Sequence, residues 1–319
     1  MDTVTGMQGP PRCSVCGERA VFFERHTKRH LCSTHFMGGV EHRVTETITG
    51  RRMIVEGDRV AVALSGGKDS TALLMIMSRI LPAITDVPLV AITIDEGIGG
   101  YREDTIRSAD RLARELEIEH RTISFSEMFG DTLDAILAGR ETRSCSICGI
   151  LRKKVLADSA RKAGATKLAT GHNLDDEAQS VLMNVLRGDL PRLIRDSSAD
   201  TDGRFIPRIK PLMFVSEKEI ATYLVLRDAW PELPECPYAR HALRREVQSM
   251  LSTLEYRHPG TMLRLMESRQ KIGDACAGGT LPDSSLLPCR QCGDPCSGDL
   301  CQFCNLKQEL GRELSGNRR

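Results

Sequence analysis

No apolar run in this 319-residue chain approaches the roughly 20 residues that span a bilayer as a helix, which argues against a membrane enzyme. Residues 1–12 are polar, contain Pro and Gly, and lack the apolar centre of a secretory signal, so a soluble cytoplasmic protein is expected. Charge of one sign is not in excess either. The 44 Lys and Arg against 43 Asp and Glu leave a net charge of +1, which neither invites nor forbids nucleic acid. Low-complexity tracts and long internal repeats are missing, which excludes a solenoid or a tail-like scaffold. The length suits one sizeable α/β domain with small appendages.

Cysteine, by contrast, is plentiful: twelve in a chain expected to be cytoplasmic point to metal before disulfides. Near the N-terminus Cys13-x2-Cys16 is followed by Cys32-x2-His35. Two short ligand hairpins of this kind place three thiolates and one imidazole around tetrahedral zinc. His30 competes for the fourth position; His35 is preferred because it repeats the two-residue gap. Cys289-x2-Cys292 and Cys301-x2-Cys304 form a second, four-cysteine set, with Gly293 and Gly298 for tight turns and with Cys276 and Cys296 left outside. Such knuckles are structural modules that substitute metal for a core, and they can also help to hold RNA.

The middle group differs. Cys145-x2-Cys148 precedes the helix-like segment 150–156, and Cys236 lies far downstream. Three thiolates on an iron–sulfur cluster leave one iron open, whereas structural zinc closes all four positions. A redox dithiol, or cysteines carrying persulfide, are alternatives that spacing does not separate.

The sharpest signal is Ser65-Gly66-Gly67-Lys68-Asp69-Ser70, between the strand-like segment 59–64 and the helix-like apolar segment 71–76. Strand, glycine turn and helix together aim free N–H groups and a helix N-terminus at an anion, usually phosphate. The Walker A spacing is absent. The plainer alternative is a Gly-Gly turn capped by Asp69 or Ser70. Beyond this loop the chain alternates: strands over 88–95, 120–124 and 167–171, and helices over 103–116, 146–163 and 173–186. That βα series predicts an α/β fold, a parallel sheet with helices on both faces. Segments 65–70, 95–100 and 171–176 then fall at the carboxyl ends of strands, where such sheets bind ligands. Residues 37–58 suggest a helical connection, 187–210 a loop that is mobile or ordered by substrate, and 216–272 mostly helix interrupted over 230–237.

Basic residues cluster as Arg140, Arg143, Arg152, Lys153, Lys154, Arg161 and Lys162, and again as Arg187, Arg192, Arg195, Arg204, Arg208 and Lys210. The second cluster is interrupted by Asp189, Asp196, Asp200 and Asp202. An arginine-biased patch beside a phosphate-binding turn suits a phosphate backbone, although a solvated surface would look the same.

Ser65–Ser70 resembles the PP-loop of the ATP pyrophosphatases, which split ATP into AMP and pyrophosphate to adenylate a substrate oxygen. Taken with Thr170-Gly171-His172-Asn173-Leu174-Asp175-Asp176-Glu177, Cys145-x2-Cys148, Cys236 and both knuckles, nearly the whole chain resembles the tRNA 2-thiouridine synthetase family. The segment 181–189 and Arg152 resemble its wobble-uridine branch (position 34) more than the branch acting at position 54. The related cytidine-32 thiolases generally lack both knuckles.

The resemblance implies a PP-loop, adenine nucleotide alpha-hydrolase-like domain over 41–275, with a linker helix at 41–58. A zinc finger over 1–40 and a zinc ribbon with tail over 276–319 would flank it. Ser65, Gly66, Gly67, Lys68, Asp69 and Ser70 would bind the phosphates of ATP with Mg²⁺, while Ala63, Ile94 and Gly171 line the nucleotide. Arg152 would stabilise charge as pyrophosphate leaves. Asp176 would hold Mg²⁺ or orient the uridine, with Asp175 and Glu177 as neighbours on the same helical turn and His172 as its cap. Cys145, Cys148 and Cys236 would hold a 4Fe–4S cluster whose open iron carries sulfur, and each knuckle a zinc. The implied partners are tRNA, a sulfur donor (a ubiquitin-like thiocarboxylate protein or sulfide) and a second copy in a homodimer, with no membrane. Rival expectations are a PP-loop ligase without iron and an RNA-binding zinc-ribbon scaffold with a vestigial nucleotide site.

Overall fold

The computed structural model describes residues 10–194, 205–231, 234, 236–238, 243–276 and 287–311. Arg195, Arg204, Asp196, Asp200 and Asp202 of the second basic cluster lie outside the described residues, as does Glu235.

The described chain opens on a hairpin, β1 (Phe22–Glu24) and β2 (Arg29–Leu31), that runs straight into α1 (Ser33–Gly50). Phe36, Val40, Val44 and Ile48 recur every four residues along α1, so one stripe is buried and joins the main core. The expected connection over 37–58 is therefore an integral core helix. Alternation follows: β3 (Val60–Ala63), α2 (Lys68–Ile80), β4 (Val90–Asp95), α3 (Arg102–Glu115) and β5 (Glu119–Ser124). The chain continues through α4 (Phe125–Phe129), α5 (Leu133–Leu137), α6 (Ser144–Lys162), β6 (Lys167–Ala169), α7 (Leu174–Leu186), α8 (Leu190–Ile194) and β7 (Arg208–Ile209). Helices α9 (Glu217–Leu226), α10 (Leu243–Arg257) and α11 (Thr261–Cys276) come next. The hairpin β8 (Leu287–Pro288) and β9 (Pro295–Cys296) leads to α12 (Gln302–Glu309).

The central sheet has the order β5-β4-β3-β6-β7 with every described pair parallel. Strand β3 is central, so the chain winds out to one edge and returns to the other. The order reverses between β3 and β6, and a crevice opens there at the carboxyl ends. Alternate side chains feed two cores. Val60, Val62, Ala91 and Ala169 face α1, α2, α7 and α9, whereas Ala61, Val90, Ile92 and Leu168 face α5, α6 and α12. Each fully buried valine of this kind contributes roughly 1.5–3 kcal/mol relative to exposure. No described helix is long and apolar enough to cross a membrane.

Several elements depart from the pattern read in the sequence. Helices α4 and α5 are five residues each, too short to show a 3.6-residue period, and each is started by a cap: Ser124 Oγ accepts from Glu127 N, and Thr132 Oγ1 from Ala135 N. Part of the expected loop over 187–210 is ordered as α8 and as the edge strand β7. The C-terminal ribbon packs on α6: Asp294 meets Lys154 Nζ at 2.7 Å, Phe303 meets Phe129 with centroids 5.7 Å apart, and Leu306 and Leu310 enter the α6 core.

Candidate active site and metal centres

The PP-loop leaves β3 at the crevice and is held open by its own serines. Ser70 Oγ accepts from Ser65 N (3.1 Å), lies 3.0 Å from Ser65 Oγ and donates to Gly67 O (2.9 Å). The first turn of α2 therefore begins at Lys68 with its N-terminus facing the crevice. Gly66 adopts φ +86°, and a Cβ there would stand 2.3 Å from the Thr105 carbonyl oxygen of α3. Only glycine fits that close approach. Gly171 closes the crevice from β6, where a Cβ would meet the Asp69 and Ser70 backbone at 3.0 Å. We expect Gly66→Ala to lose stability by about 1–3 kcal/mol from the left-handed backbone alone, and to weaken ATP binding. Urea unfolding together with calorimetric ATP titration checks both.

Lys68 Nζ contacts Asp69 Oδ2 at 2.9 Å and Glu217 Oε1 at 3.0 Å. Burial opposes its charge, but these carboxylates outweigh burial and raise its pKa, so it stays an ammonium. Asp69 is also held by Asn173 Nδ2 at 2.9 Å. Asn173, and not His172, caps α7. Its side chain accepts from Asp176 N (3.0 Å), while the Asp176 carboxylate accepts from Asn173 N (3.3 Å). His172 Nδ1 instead lies 2.9 Å from Thr170 Oγ1. The neighbours of Asp176 do more than share a turn. Asp175 Oδ2 accepts from Glu217 N at 2.8 Å, joining α7 to α9, and buried Glu177 pairs with Lys210 Nζ at 2.7 Å. Burial pushes the Asp175 carboxyl up. Ala63 is half-buried at the end of β3, and the carbonyl of buried Ile94 accepts from Arg102 Nη2.

A charged chain that no motif announced runs beneath the crevice. Arg102, 5% exposed, donates from Nη1 to Ser65 O (3.1 Å) and places Nε 2.6 Å from Glu96 Oε2. That contact is an ion pair rather than an aligned hydrogen bond. The other oxygen, Glu96 Oε1, lies 3.3 Å from Arg152 Nε on α6. Arg152 Nη2 in turn donates to Cys148 Sγ at 3.2 Å. One buried carboxylate thus links the PP-loop to the cysteine pair.

Cys145, Cys148 and Arg152 share one face of α6 through i+3 and i+4 spacing. Cys145 is exposed, with Sγ 3.4 Å from Tyr238 O, and half-buried Cys236 packs against the same core as Cys148. Burial raises the Cys148 thiol; Arg152 opposes that shift, while Glu96 and Cys236 add to it. Tyr238 Oη fixes the segment by donating to Asp134 Oδ1 at 2.7 Å. Among the described residues these three sulfurs do not close to the spacing of a single ion, as those of both knuckles do.

In the first knuckle Cys13, Cys16, Cys32 and His35 offer ligand atoms all within 4.8 Å of one another. Cys32 Sγ lies 3.2 Å from His35 Nδ1. His30 stands outside this group, stacked on Phe23 at 4.5 Å. In the second, Cys289, Cys292, Cys301 and Cys304 converge in the same way. Burial pushes the Cys289 thiol up, but backbone N–H groups of Cys301, Cys292 and Gln291 outweigh it and bring it down to about 6. A thiolate is the form that ligates metal. Cys296 lies outside, donating to Gly298 O at 2.9 Å, and half-buried Cys276 ends α11.

The two basic clusters meet at α6, α8 and β7. Burial first, then Arg208, Arg192 and Lys210, lower the Lys153 pKa, and Arg208 Nη2 donates to Lys153 O at 3.2 Å. Arg143, Lys154 and Arg161 are instead tied to Glu309, Asp158 and Asp294. Arg192 is paired with Asp189 (3.2 Å) and Lys210 with Glu177 (2.7 Å), so of these mutually repelling cations Lys153 and Arg208 are, among the described residues, the ones left to attract phosphate.

This arrangement matches known proteins along almost its whole length. Residues 39–251 match the PP-loop domain family, and residues 12–37 match the N-terminal LIM domain of the 2-thiouridine synthetase TtuA. The tRNA 2-thiolation protein NcsA of Haloferax volcanii is 35% identical over 316 residues, covering 93% of this chain and 98% of that protein. The cytoplasmic tRNA 2-thiolation protein 1 of Bos taurus is 35% identical over 311 residues, covering 95% and 88%. Among solved structures, the U34-tRNA thiolase NcsA from Methanococcus maripaludis with its [4Fe-4S] cluster superposes with a TM-score of 0.78 at 29% identity, covering 94% of this chain and 96% of that one. The chain belongs to the tRNA 2-thiolation proteins, the PP-loop family of ATP-dependent sulfurtransferases.

Proposed function

We propose that the chain is a cytoplasmic tRNA uridine 2-sulfurtransferase that adenylates uridine O2 with ATP and then replaces that oxygen by sulfur, at wobble position 34. The observation that carries this reading is the chain Ser65–Arg102–Glu96–Arg152–Cys148, which couples a nucleotide site to three cysteines. Position 34 is supported by the likeness to the U34-tRNA thiolase NcsA of Methanococcus maripaludis.

ATP enters with its phosphates over Gly66, Gly67 and the first turn of α2, where the serine hydroxyls and Lys68 compensate their charge. Lys68 then exchanges a carboxylate for phosphate, freeing Glu217 or Asp69. Mg²⁺ is a hard cation that takes oxygen ligands, and Asp69 and Asp176 present carboxylates at the crevice. Attack of uridine O2 on the α-phosphorus forms an O–P bond and breaks the bond to pyrophosphate, with Arg152 placed to stabilise the leaving charge. Sulfur bonding at C2 then breaks the C2–O2 bond, and O2 leaves within AMP. The poor leaving group has become a good one.

The donor set of Cys145, Cys148 and Cys236 fits a 4Fe–4S cluster. It offers three thiols and no fourth, and cubane ligands sit on separate irons, so they need not converge as zinc ligands do. Such a cluster supplies an open iron able to carry sulfur. Arg152 would provide positive charge beside it, and the packing of α6 against α5 and α12 would hold the buried Cys148 in place. Each knuckle holds a structural zinc in this account, the first locking β1–β2 onto α1 and the second bracing α6.

Incubating reconstituted protein anaerobically with tRNA, ATP, Mg²⁺ and sulfide should yield 2-thiouridine on nucleoside analysis. A tRNA with U34 replaced by C should yield none. Product surviving that replacement would move the target to position 54, and no product from either tRNA would contradict the reading.

A further inference from the structure

A second cavity, of about 330 Å³, lies away from the PP-loop between the N-terminal hairpin and helices α7, α9, α10 and α11. Its carboxylates are all engaged within the protein. Glu24 accepts from Arg43 Nη2 at 3.3 Å, and Glu219 accepts from Arg43 Nη1 at 2.6 Å. Glu255 accepts from Gly260 N (2.6 Å) and Met262 N (2.9 Å), and Asp175 from Glu217 N (2.8 Å). Its remaining cations have no such partner: among the described residues no carboxylate pairs with Arg25 or Lys218. They lie instead over aromatic rings, Arg25 4.7 Å from the centroid of Tyr256 and Lys218 5.5 Å from that of Phe22. Tyr256 is 72% exposed. Arg25 covers one face of the Tyr256 ring, and the exposure of this residue leaves the rest of the ring open to solvent beside positive charge that no described carboxylate neutralises.

An exposed aromatic ring with cations beside it is the chemistry that holds a nucleotide, its base stacked on the open side of the ring and its phosphate against the ammonium or guanidinium. The volume is in the range of small-ligand pockets. The cavity is also wired to the PP-loop. Its wall residue Asp175 accepts from Glu217 N, and the Glu217 side chain reaches Lys68 at 3.0 Å. We infer that this cavity binds a nucleotide of the substrate RNA other than the one that reacts, stacked on Tyr256 with its phosphate toward Arg25 and Lys218. This rests on the tRNA reading above. A free mononucleotide shares the chemistry and is the alternative source.

The test measures tRNA binding by fluorescence anisotropy on the full-length protein, independently of turnover. Tyr256→Ala should weaken tRNA binding about tenfold, while Tyr256→Phe, which keeps the ring, should not. The double variant Arg25→Ala/Lys218→Ala should lower the slope of log affinity against log salt by about two. ATP affinity and the thermal midpoint should stay unchanged in all three. Unchanged tRNA affinity in Tyr256→Ala with an unchanged salt slope in the double variant would overturn the inference. So would binding of uridine or adenosine 5′-monophosphate that is lost in Tyr256→Ala while tRNA affinity is kept. Ring-dependent tRNA binding by a preparation that makes no 2-thiouridine would support the cavity and count against the thiolation reading.

Discussion

Replacing Cys145, Cys148 or Cys236 with alanine is expected to abolish 2-thiouridine formation and bound iron while leaving zinc content and ATP binding intact. The three positions differ in a useful way. Cys148 is buried, so its truncation also removes core packing, whereas Cys145 is exposed and packs little. Cys145→Ala should therefore keep the thermal midpoint while losing activity, which separates a chemical role from a structural one. Neither knuckle shares a sulfur with this group, so zinc should remain. Metal analysis, calorimetry and nucleoside analysis on the same preparations check the set. Thiolation retained by an iron-free Cys145→Ala protein would exclude the cluster and return the persulfide alternative.

Glu96→Gln should be the most damaging substitution outside the motifs. Glu96 and Arg102 are about 5% exposed, and their pairing is what makes two buried charges tolerable. Removing one partner of such a pair strands the other and costs about 3–5 kcal/mol. The same change frees Arg152 from its anchor at 3.3 Å, so pyrophosphate release should slow in whatever protein folds. Urea unfolding gives the first effect, and single-turnover AMP formation at a temperature well below the transition gives the second. An unchanged urea midpoint would show that the ion pair carries no net stability, and an unchanged turnover would show that Arg152 does not depend on it.

What the sequence made legible was local. The PP-loop could be read because its glycines sit between a β-branched run and an apolar helix, and Gly66 meets Thr105 as the close approach demands. Both knuckles were readable because their ligands come in pairs two residues apart, and His35 was separable from His30 by that gap alone. The residues that link the parts were not legible. Glu96 and Arg102 stand six residues apart in no motif, and each acts through a group brought in by the sheet, Ser65 from β3 or Arg152 from α6. Asn173 is the cap in place of the expected His172, and asparagine three residues before a carboxylate is the local signal for it, since it resembles a capping box. The docking of the C-terminal ribbon on α6 depends on Lys154 finding Asp294, a pairing across 140 positions that no spacing rule anticipates. Short elements were lost for a different reason: α4, α5 and β7 are held by caps and by neighbours rather than by a period of their own.

The central claim is that one crevice adenylates a uridine and then exchanges its oxygen for sulfur. The most direct measurement counts products in a single turnover, with labelled ATP and tRNA under anaerobic conditions. The account predicts one AMP and one pyrophosphate for each 2-thiouridine, all three absent in Lys68→Ala. Release of ADP and phosphate, or 2-thiouridine formed without AMP, would contradict it.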